Sequence, residues 1–340
     1  MKISTRLIAV DPDHPDPASL DEAAQIIIAG GLVAFPTETV YGLGADASNP
    51  AAVAHIFAAK GRPANNPLIV HGADIPAVQS AVSSWPQTAE ILAREFWPGP
   101  LTLVLPRSSS IPDIVTAGQA TVGIRIPDSK VAQALLARAG RTLAAPSANR
   151  STRISPTTAA HVLADLDGLV DLILDAGPAR VGIESTVLDL TSNPPRLLRP
   201  GAVTLTQLSA ALGLEVGFAS RSTSPSAAQT SPGQLDLHYA PRTPLFIFDP
   251  DQLSSAPWPR GQKIALLIAG HSLPPHLGNP VLRVDWLDPS LAARTLYATL
   301  HRWDDSDLDA IYVVLPPETD PWRALRDRLS RASRRSTSAE

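Results

Sequence analysis

The sequence 32-LVAFPTETVYGLG-44 joins a short apolar run to a turn-rich segment that is dense in hydroxyl groups. Residues 32–35 have the length and apolar character of a buried strand, which Pro36 ends. Similar apolar runs bounded by Gly and Pro predict strands at 101–105, 122–126, 169–174 and 186–190. Between them, stretches rich in Ala and Leu predict helices at 20–29, 51–59, 131–138 and 157–166. This alternation predicts a mixed α/β domain.

The composition changes between residues 219 and 233, where Ser, Thr, Pro, Ala and Gln replace large apolar residues, as is typical of a linker. Beyond it, a helical pattern at 290–302 lies among apolar runs at 245–249, 264–269 and 310–315, which predicts a smaller doubly wound α/β domain. A final helix from 322 should fray into a solvated Ser/Arg end rather than form an RNA-binding arm. The predicted division is a first domain (1–205), a linker or lid (206–241), a second domain (242–335) and a tail (336–340).

Composition excludes several classes of protein. The chain contains no cysteine, so disulfides, thiolate nucleophiles, cysteine-bearing zinc sites and iron–sulfur clusters are excluded. No apolar stretch reaches the ~18 residues that a membrane-spanning helix needs, and the polar start has no signal-peptide core. We therefore expect a cytoplasmic protein with no membrane contact. The net charge of −4 and the aromatic content of 5% argue against a surface on which nucleic-acid bases stack.

Familiar nucleotide-binding and hydrolase motifs do not fit. Residues 42–47 match the dinucleotide-binding pattern only loosely, because residues 36–41 separate the first glycine from the preceding strand. None of the lysines lies in a Walker loop, and the chain has no His-Glu-x-x-His helix and no Gly-x-Ser-x-Gly elbow. If ATP binds to this chain, it must bind at a site that contains neither of these nucleotide-binding motifs.

Two cations around a glycine, Lys60-Gly61-Arg62, end the predicted helix and lie close to Asn66 in sequence. Lysine supplies a compact positive charge, and arginine supplies a planar group that can bind two oxygens at once. Glycine has no side chain, so the backbone can come close to an anion. This set suits a polyphosphate. The plainer interpretation is a helix C-terminus whose dipole favours cations.

Arg125 is the single charged side chain in the apolar strand 122–126. A buried guanidinium is costly unless it is paired, so Arg125 should meet either a protein carboxylate or an anionic ligand such as the carboxylate of an amino acid. The residues alone favour the protein carboxylate.

Hydroxyl and amide groups are concentrated in residues 144–151 and 155–158. The second group leads into a predicted helix, whose unpaired N–H groups would suit phosphate oxygens. Ordinary capping, with Ser155 as N-cap and Pro156 as the first helical residue, is compatible with the same pattern.

Taken together, these segments resemble the Sua5/YrdC family of threonylcarbamoyl-adenylate synthases over essentially the whole chain. The resemblance rests on the order and spacing of residues 36–44, 60–63, 97–102, 147–149, 155–158, 182–190 and 198–201. Residues 231–233 and 238–241 are similar to the junction that precedes the extra domain of the longer, Sua5-type members. Departures are Thr152, where many relatives have glycine, and residues 234–237, which lack the basic residues of some members.

The resemblance implies an N-terminal YrdC-like domain with a twisted sheet around a large positively charged cavity, and a smaller Rossmann-like, three-layer α/β C-terminal domain. It implies a nucleotidyltransferase that converts L-threonine, bicarbonate and ATP into threonylcarbamoyladenylate, pyrophosphate and water. The adenylate would serve a tRNA threonylcarbamoyl-transferase complex in forming N6-threonylcarbamoyladenosine at tRNA position 37. Mg²⁺ would be held by the ATP phosphates, with no metal ligand assigned to the protein and no organic prosthetic group. A weak contact with RNA is also expected.

Matching positions give the expected site residues. L-Threonine would contact Thr39, His71, Arg125, Ala145 and Ser185. ATP would contact Lys60, Arg62, Asn66, Thr121, Ser147, Asn149, Ser155, Arg199, His238 and Tyr239. The catalytic roles would fall to Lys60, Arg62, Ser147 and Asn149.

Three other functions compete with this one. The first is an RNA-binding module with a basic cavity, against which the acidic net charge counts. The second is a carbamoyl-transfer enzyme of hydrogenase maturation, which would carry cysteine-rich zinc modules that this chain lacks. The third is a non-catalytic scaffold whose second domain recruits partners.

Overall fold

The segment 32-LVAFPTETVYGLG-44 forms two strands rather than one. Strand β2 (Val33–Phe35) confirms the predicted strand, and the chain then folds back into β3 (Gly42–Asp46), which pairs antiparallel with it. The computed structural model describes residues 4–219, 238–250, 261–271 and 280–333. These divide into one unit formed by 4–151 and 155–219 and another formed by 152–154 and the residues from 238 onward. This arrangement confirms the predicted α/β class with two domains.

The first unit is built on one long mixed sheet. The other strands that its described residues contribute are β1 (Arg6–Ala9), β4 (Ile69–His71), β5 (Leu101–Pro106), β6 (Thr121–Arg125), β7 (Leu143–Ala144), β8 (Leu172–Asp175), β9 (Thr186–Asp189), β10 (Arg196–Arg199) and β11 (Gly217–Phe218). Neighbouring strands follow the order β1-β8-β2-β3-β7-β4-β6-β5-β9-β10-β11. Parallel and antiparallel pairs are mixed, so the β4–β6 pair is parallel and the β5–β6 pair is antiparallel.

Helices cover the two faces of this sheet. They are α1 (Pro17–Ile28), α2 (Pro50–Lys60), α3 (Ile75–Gln79), α4 (Gln87–Phe96), α5 (Asp113–Thr116), α6 (Lys130–Ala139), α7 (Ala159–Leu166) and α8 (Leu205–Leu212). Helices α1 and α6 pack together over the face that includes Phe35 and Leu143. A second hydrophobic core lies on the other face and contains Val70, Leu103 and Ile124.

The limits of α2 follow from its sequence. Asn49 caps the N-terminus by accepting from the backbone N–H groups of Ala51 and Ala52, and Pro50 occupies the first turn, where its missing N–H is not needed. Gly61 ends the helix in the left-handed conformation, at φ 60°. The helix therefore delivers Lys60 to the point where the chain turns.

The second unit has a smaller, wholly parallel sheet. Its described strands are β12 (Leu245–Phe248), β13 (Ile264–Ala269), β14 (Leu282–Trp286) and β15 (Ala310–Val314), in the order β12-β15-β13-β14. Helices α9 (Pro289–Asp304) and α10 (Arg323–Ala332) pack on it, with a 3-10 turn at Asp320–Trp322 before α10. The three predicted strands are confirmed, and β14 is an additional one.

The predicted linker begins too early. Helix α8 and strand β11 lie within 205–218 and belong to the first unit, where Leu208 is fully buried in the hydrophobic core. A capping box formed by Thr204 and Gln207 starts α8, so this segment is regular structure. Residues 220–237, which hold most of the compositional linker, and the tail 336–340 lie outside the described residues. Within the described ranges, no helix is both long enough and apolar enough to span a membrane.

Candidate active site

Polar side chains gather on one face of the central strands of the first unit. His71 on β4 is in register with Arg125 on the parallel strand β6, so both project from the same face. Leu103 pairs with Ile124, which places Thr102 of β5 beside Arg125 on that face. The alternate residues, such as Val70, belong to the hydrophobic core on the other face. The period of two in these strands thus separates the candidate site from the core.

Arg125 forms a buried ion pair with Glu38. Its Nη2 lies 2.6 Å from Glu38 Oε1, and its Nε donates to the carbonyl of Gly99 at 3.2 Å. Both side chains are at most 5% exposed. The Nη2–Oε1 contact is not aligned as a hydrogen bond, so the pair is held by charge, and both Glu38 oxygens are without a hydrogen-bond donor among the described residues. Arg125 therefore meets a protein carboxylate, which is the alternative that the residues alone favoured.

Glu38 is a site residue that the sequence analysis missed. A signal for it existed, because Glu38 is the single acidic residue in 32–44 and the isolated Arg125 needed a carboxylate. The local sequence pattern did not indicate that Glu38 and Arg125 form a pair, because 87 residues separate them. The ion pair comes only from the approach of the 36–41 turn to β6.

His71 is buried and neutral. Burial, and secondarily the charge of Arg125, lowers the pKa of its imidazole to about 3. Its Nδ1 lies 3.2 Å from the carbonyl oxygen of Ile69, and the backbone N–H of Ala145 donates to that oxygen at 2.9 Å. In the neutral ring, a proton on Nδ1 leaves Nε2 as a hydrogen-bond acceptor. His71 can therefore receive a hydroxyl or amino N–H from a ligand.

The pKa of His71 predicts a specific pH dependence of stability. The pKa is about 3 in the folded chain against 6.5 in the unfolded chain, so the unfolded chain binds this proton first and stability is lost as the pH falls from 6.5 towards 3. The loss at pH 5 should be about 2 kcal/mol. Urea titrations at pH 7 and pH 5 should show a smaller loss for His71→Gln than for wild type. Equal losses in the two proteins would contradict this account.

Lys60 anchors the loop that contains Ser147 and Asn149. The buried ammonium donates to the Ser147 carbonyl at 2.6 Å, to the Asn149 carbonyl, and to Asn149 Oδ1 at 3.3 Å. Ser147 Oγ donates to the same Oδ1 at 2.6 Å, and Ser151 N–H donates to the Lys60 carbonyl at 2.8 Å. Burial, and then the charge of Arg62, lowers the pKa of Lys60 well below its usual value. Three oxygens use all three donors of an ammonium group, so Lys60 shapes this loop.

Arg62 is held in place by the segment that follows it. Its Nε donates to the Asn66 carbonyl at 3.1 Å, and its Nη2 donates to Asn66 Oδ1 at 2.5 Å and to the Pro67 carbonyl at 2.7 Å. Asn66 is fully buried, and its Nδ2 has no hydrogen-bond acceptor among the described residues. Arg62 as a whole residue is half-buried, and these three bonds fix the orientation of its guanidinium.

Ser155 does not cap the following helix. Helix α7 begins at Ala159, and Thr158 is its N-cap, accepting from the His161 N–H. The prediction of Ser155 as N-cap is wrong because its buried hydroxyl instead donates to Glu184 Oε1 at 2.5 Å. Glu184 is thus a second buried carboxylate in this region that the sequence analysis did not select.

A further set of bonds surrounds Ser185. Arg199 donates from Nε to the Ser185 carbonyl at 3.0 Å and from Nη2 to Ser185 Oγ at 3.1 Å. Ser185 Oγ also lies 2.8 Å from Thr102 Oγ1. Gly201, two residues after β10, lets the chain pass close to Thr186, since a Cβ at that position would lie 2.3 Å from Thr186 N. Thr102, the neighbour of Arg125 on the sheet, is therefore joined to Arg199 through Ser185.

Backbone hydrogen bonds unite the loops that carry these residues. The N–H groups of Val181 and Gly182 donate to the carbonyls of Glu38 and Thr39, at 2.7 and 3.0 Å. Tyr41 donates its N–H to the Pro156 carbonyl at 2.9 Å and accepts from the Ala148 N–H at 2.8 Å. Thr39 Oγ1 is buried and lies 2.8 Å from Thr37 Oγ1. The structure thus joins the 36–41 turn to residues 148–156 and to residues 181–182, both of which are distant from it in sequence.

Not every predicted site residue lies in this cluster. Thr121 is half-exposed at the start of β6, on the same face as Arg125, and lines a shallow pocket together with Thr102 and Gly123. His238 and Tyr239 belong to the second unit, where their rings are 4.0 Å apart and Arg328 lies over the Tyr239 ring. Their contact with ATP stays a prediction. Within the described part of the chain, no group of three or more His, Asp or Glu side chains could hold a metal ion.

Comparisons with known proteins cover nearly the whole chain. A family model of Sua5, YciO and YrdC, described as Telomere recombination, matches residues 25–201, and one described as Threonylcarbamoyl-AMP synthase, C-terminal domain, matches residues 203–334. Relatives named threonylcarbamoyl-AMP synthase from Pyrococcus abyssi and Bacillus subtilis are each 39% identical. The first aligns over 92% of this chain and 93% of its own length, and the second over 92% of each.

A solved structure is similar over both units. The crystal structure of P. abyssi Sua5 complexed with L-threonine has a TM-score of 0.87 and 38% identity, covering 96% of this chain and 97% of that one. The matched fold, the two family models and the full-length relatives agree with one another. The chain belongs to the Sua5/YrdC family of threonylcarbamoyl-AMP synthases.

Proposed function

We propose that this chain joins L-threonine, bicarbonate and ATP into threonylcarbamoyladenylate, with release of pyrophosphate and water. The observation that carries the proposal is the cluster around Arg125, His71 and Ser185, in a chain that matches the L-threonine complex of P. abyssi Sua5 along 96% of its length. The cluster offers a cation for a carboxylate and an acceptor for a hydroxyl or amine. Those are the groups by which an amino acid such as threonine would be held.

In the threonine subsite, Arg125 binds the amino-acid carboxylate. Its guanidinium is already oriented by Gly99 and by Glu38, so little ordering remains to be done on binding. His71 accepts a hydrogen bond through Nε2, while Thr39 and Ser185 add hydroxyl groups. The backbone at Ala145, fixed on the Ile69 carbonyl, forms part of the wall.

In the ATP subsite, Arg62 and Arg199 provide positive charge, and the 147–149 loop provides hydroxyl and amide groups. Lys60 acts through that loop as well as through its charge. ATP also contacts Asn66, Thr121 and Ser155, as well as His238 and Tyr239. The described buried cations in an acidic chain suit a ligand with several negative charges.

The reaction class is nucleotidyl transfer. The amine of threonine adds to carbon dioxide and loses a proton, or reacts with bicarbonate and releases water; the resulting carbamate carboxylate attacks the α-phosphorus of ATP and expels pyrophosphate. Such a displacement depends on positioning and on neutralising the charge that moves to the β-phosphate. Lys60, Arg62 and Arg199 neutralise that charge. Mg²⁺ enters as part of the MgATP substrate.

The product is a mixed anhydride of a carbamate and AMP, which is readily attacked by nucleophiles. We propose that a tRNA threonylcarbamoyl-transferase complex consumes it, in the cytoplasm where ATP and tRNA are both present. A weak contact of this chain with RNA would help to deliver the adenylate to that complex.

The experiment that tests the function is pyrophosphate release from MgATP with and without L-threonine and bicarbonate. Release should require both co-substrates, should be slower with serine, which lacks one methyl group, and slowest with valine, which lacks the hydroxyl, and should yield an adduct of the expected mass. Folded protein with no threonine-dependent release would contradict the proposal, and steep salt-dependent RNA binding in its place would favour the RNA-binding alternative.

Arg62→Ala should reduce this turnover at least about tenfold, because a charge-assisted hydrogen bond contributes roughly 1.5–3 kcal/mol. Arg94→Ala is the matched control, since Arg94 is 79% exposed and pairs with Glu90 on helix α4. The control should turn over like wild type. Normal turnover in Arg62→Ala would remove Arg62 from the ATP subsite.

A further inference from the structure

Strand β14 forms one edge of the second unit's sheet, and exposed apolar residues lie in it and close to both of its ends. Among the described residues, its one hydrogen-bonded neighbour is β13. Val281 and Leu287, on either side of β14, are 57% and 69% exposed, and Leu282 and Leu291 are also exposed. These four are half of the eight exposed large apolar residues in the described part of the chain. An exposed edge with apolar flanks is a surface that can pair with another strand.

The sequence of this edge is self-complementary. In an antiparallel pair of two copies centred on Val284, Arg283 lies opposite Asp285 of the second copy, and Val281 lies opposite its Leu287. Positions 281, 283, 285 and 287 share one face of an extended chain, because side chains alternate. Opposite charges and apolar side chains that face each other across strands are the favourable cross-strand pairs. A two-fold rotation axis at Val284 relates the two copies. The Arg283–Asp285 pair and the Val281–Leu287 pair therefore each occur twice.

We propose that a second copy of this chain docks on β14 through antiparallel pairing of the two edge strands. Arg283 and Asp285 already form a 3.0 Å ion pair within the strand, which orients both charges on the shared face. Charges on an edge often prevent pairing, but these two have opposite signs at equal distances from Val284, so the same edge of a second copy is matched in charge. The pairing involves residues of the second unit alone and does not depend on the proposed function.

A pair of five-residue strands buries a small area, so the dimer should form reversibly with concentration. Sedimentation velocity of the full chain from about 1 to 200 µM should show monomers giving way to dimers. Arg283→Asp places Asp opposite Asp, and Asp285→Arg places Arg opposite Arg. Each variant alone should weaken dimerisation at least tenfold.

Charge restoration is the control against misfolding. An equimolar mixture of Arg283→Asp and Asp285→Arg should form mixed dimers, and the double variant Arg283→Asp/Asp285→Arg should dimerise with itself. Leu287→Ser, outside the strand, should weaken the dimer without changing any charge. A wild-type chain that stays monomeric throughout the range would overturn the proposal. So would a dimer that tolerates both single charge changes, or a mixture that stays monomeric.

Discussion

Lys60→Met should abolish threonine-dependent pyrophosphate release, with a loss of at least about 100-fold. The side chain keeps its length but loses the ammonium that joins the Ser147 and Asn149 carbonyls and the Asn149 amide oxygen. The two carbonyl oxygens would then lose their donor, at a cost of about 1–3 kcal/mol each where water cannot replace it, while Asn149 Oδ1 would keep only its bond from Ser147 Oγ. The 147–149 loop, which we propose to face ATP, would lose its shape.

The same substitution should also lower stability, by roughly 2–4 kcal/mol, or about 5–10 °C in melting temperature. From the sequence, Lys60 was assigned to phosphate binding alone, and removing such a lysine would leave the stability unchanged. The expected loss of stability therefore distinguishes an anchoring role from binding alone. Lys130→Met is the matched control, because the Lys130 side chain is 61% exposed and pairs with the exposed Asp13. It should change stability by less than ~0.5 kcal/mol. Normal turnover and an unchanged melting temperature for Lys60→Met would refute the anchoring role.

The part of the fold that could be predicted is the part encoded by local pattern. Apolar runs between Gly and Pro identified β2, β5, β6 and β9, and also β12, β13 and β15 of the second unit. Strand β3 was missed because it contains Gly42 and Gly44, which are unfavourable in strands and are tolerated here because Phe35 packs on them. Strand β14 was missed because Arg283 and Asp285 interrupt its apolar character.

Local sequence patterns predicted even less of the candidate site than of the fold. Residue types indicated which side chains carry charge or hydroxyl groups, but their partners lie far away in the chain. Ser155 was assigned to ATP, with a helix cap as the plainer interpretation, yet its hydroxyl bonds to Glu184, 29 residues later. Lys60 was assigned to phosphate, yet its three acceptors lie 87 to 89 residues away. Such contacts depend on the order of strands in the sheet, which no local pattern contains.

Arg125→Met should destabilise the first unit by about 3–5 kcal/mol and remove L-threonine binding, because it leaves the buried Glu38 carboxylate without a counter-charge. Glu38→Gln alone should also destabilise, since it leaves Arg125 buried and unpaired. Hydrogen exchange of the β4 and β6 amides reports this unfolding free energy for the first unit by itself. Calorimetric titration with L-threonine measures the binding.

The double variant Glu38→Gln/Arg125→Met separates the structural role of Arg125 from its role in binding. With both charges removed together, no buried charge is left unpaired, and stability should return to within about 1–2 kcal/mol of wild type. The ion pair lacks hydrogen-bond alignment, so its own net contribution is small and the recovery should be nearly complete. L-Threonine binding should not recover, because the cation proposed to hold its carboxylate is absent. Threonine binding by a stable double variant would mean that Arg125 serves the fold alone, and the carboxylate would then have to be assigned to another cation of the site, such as Arg199.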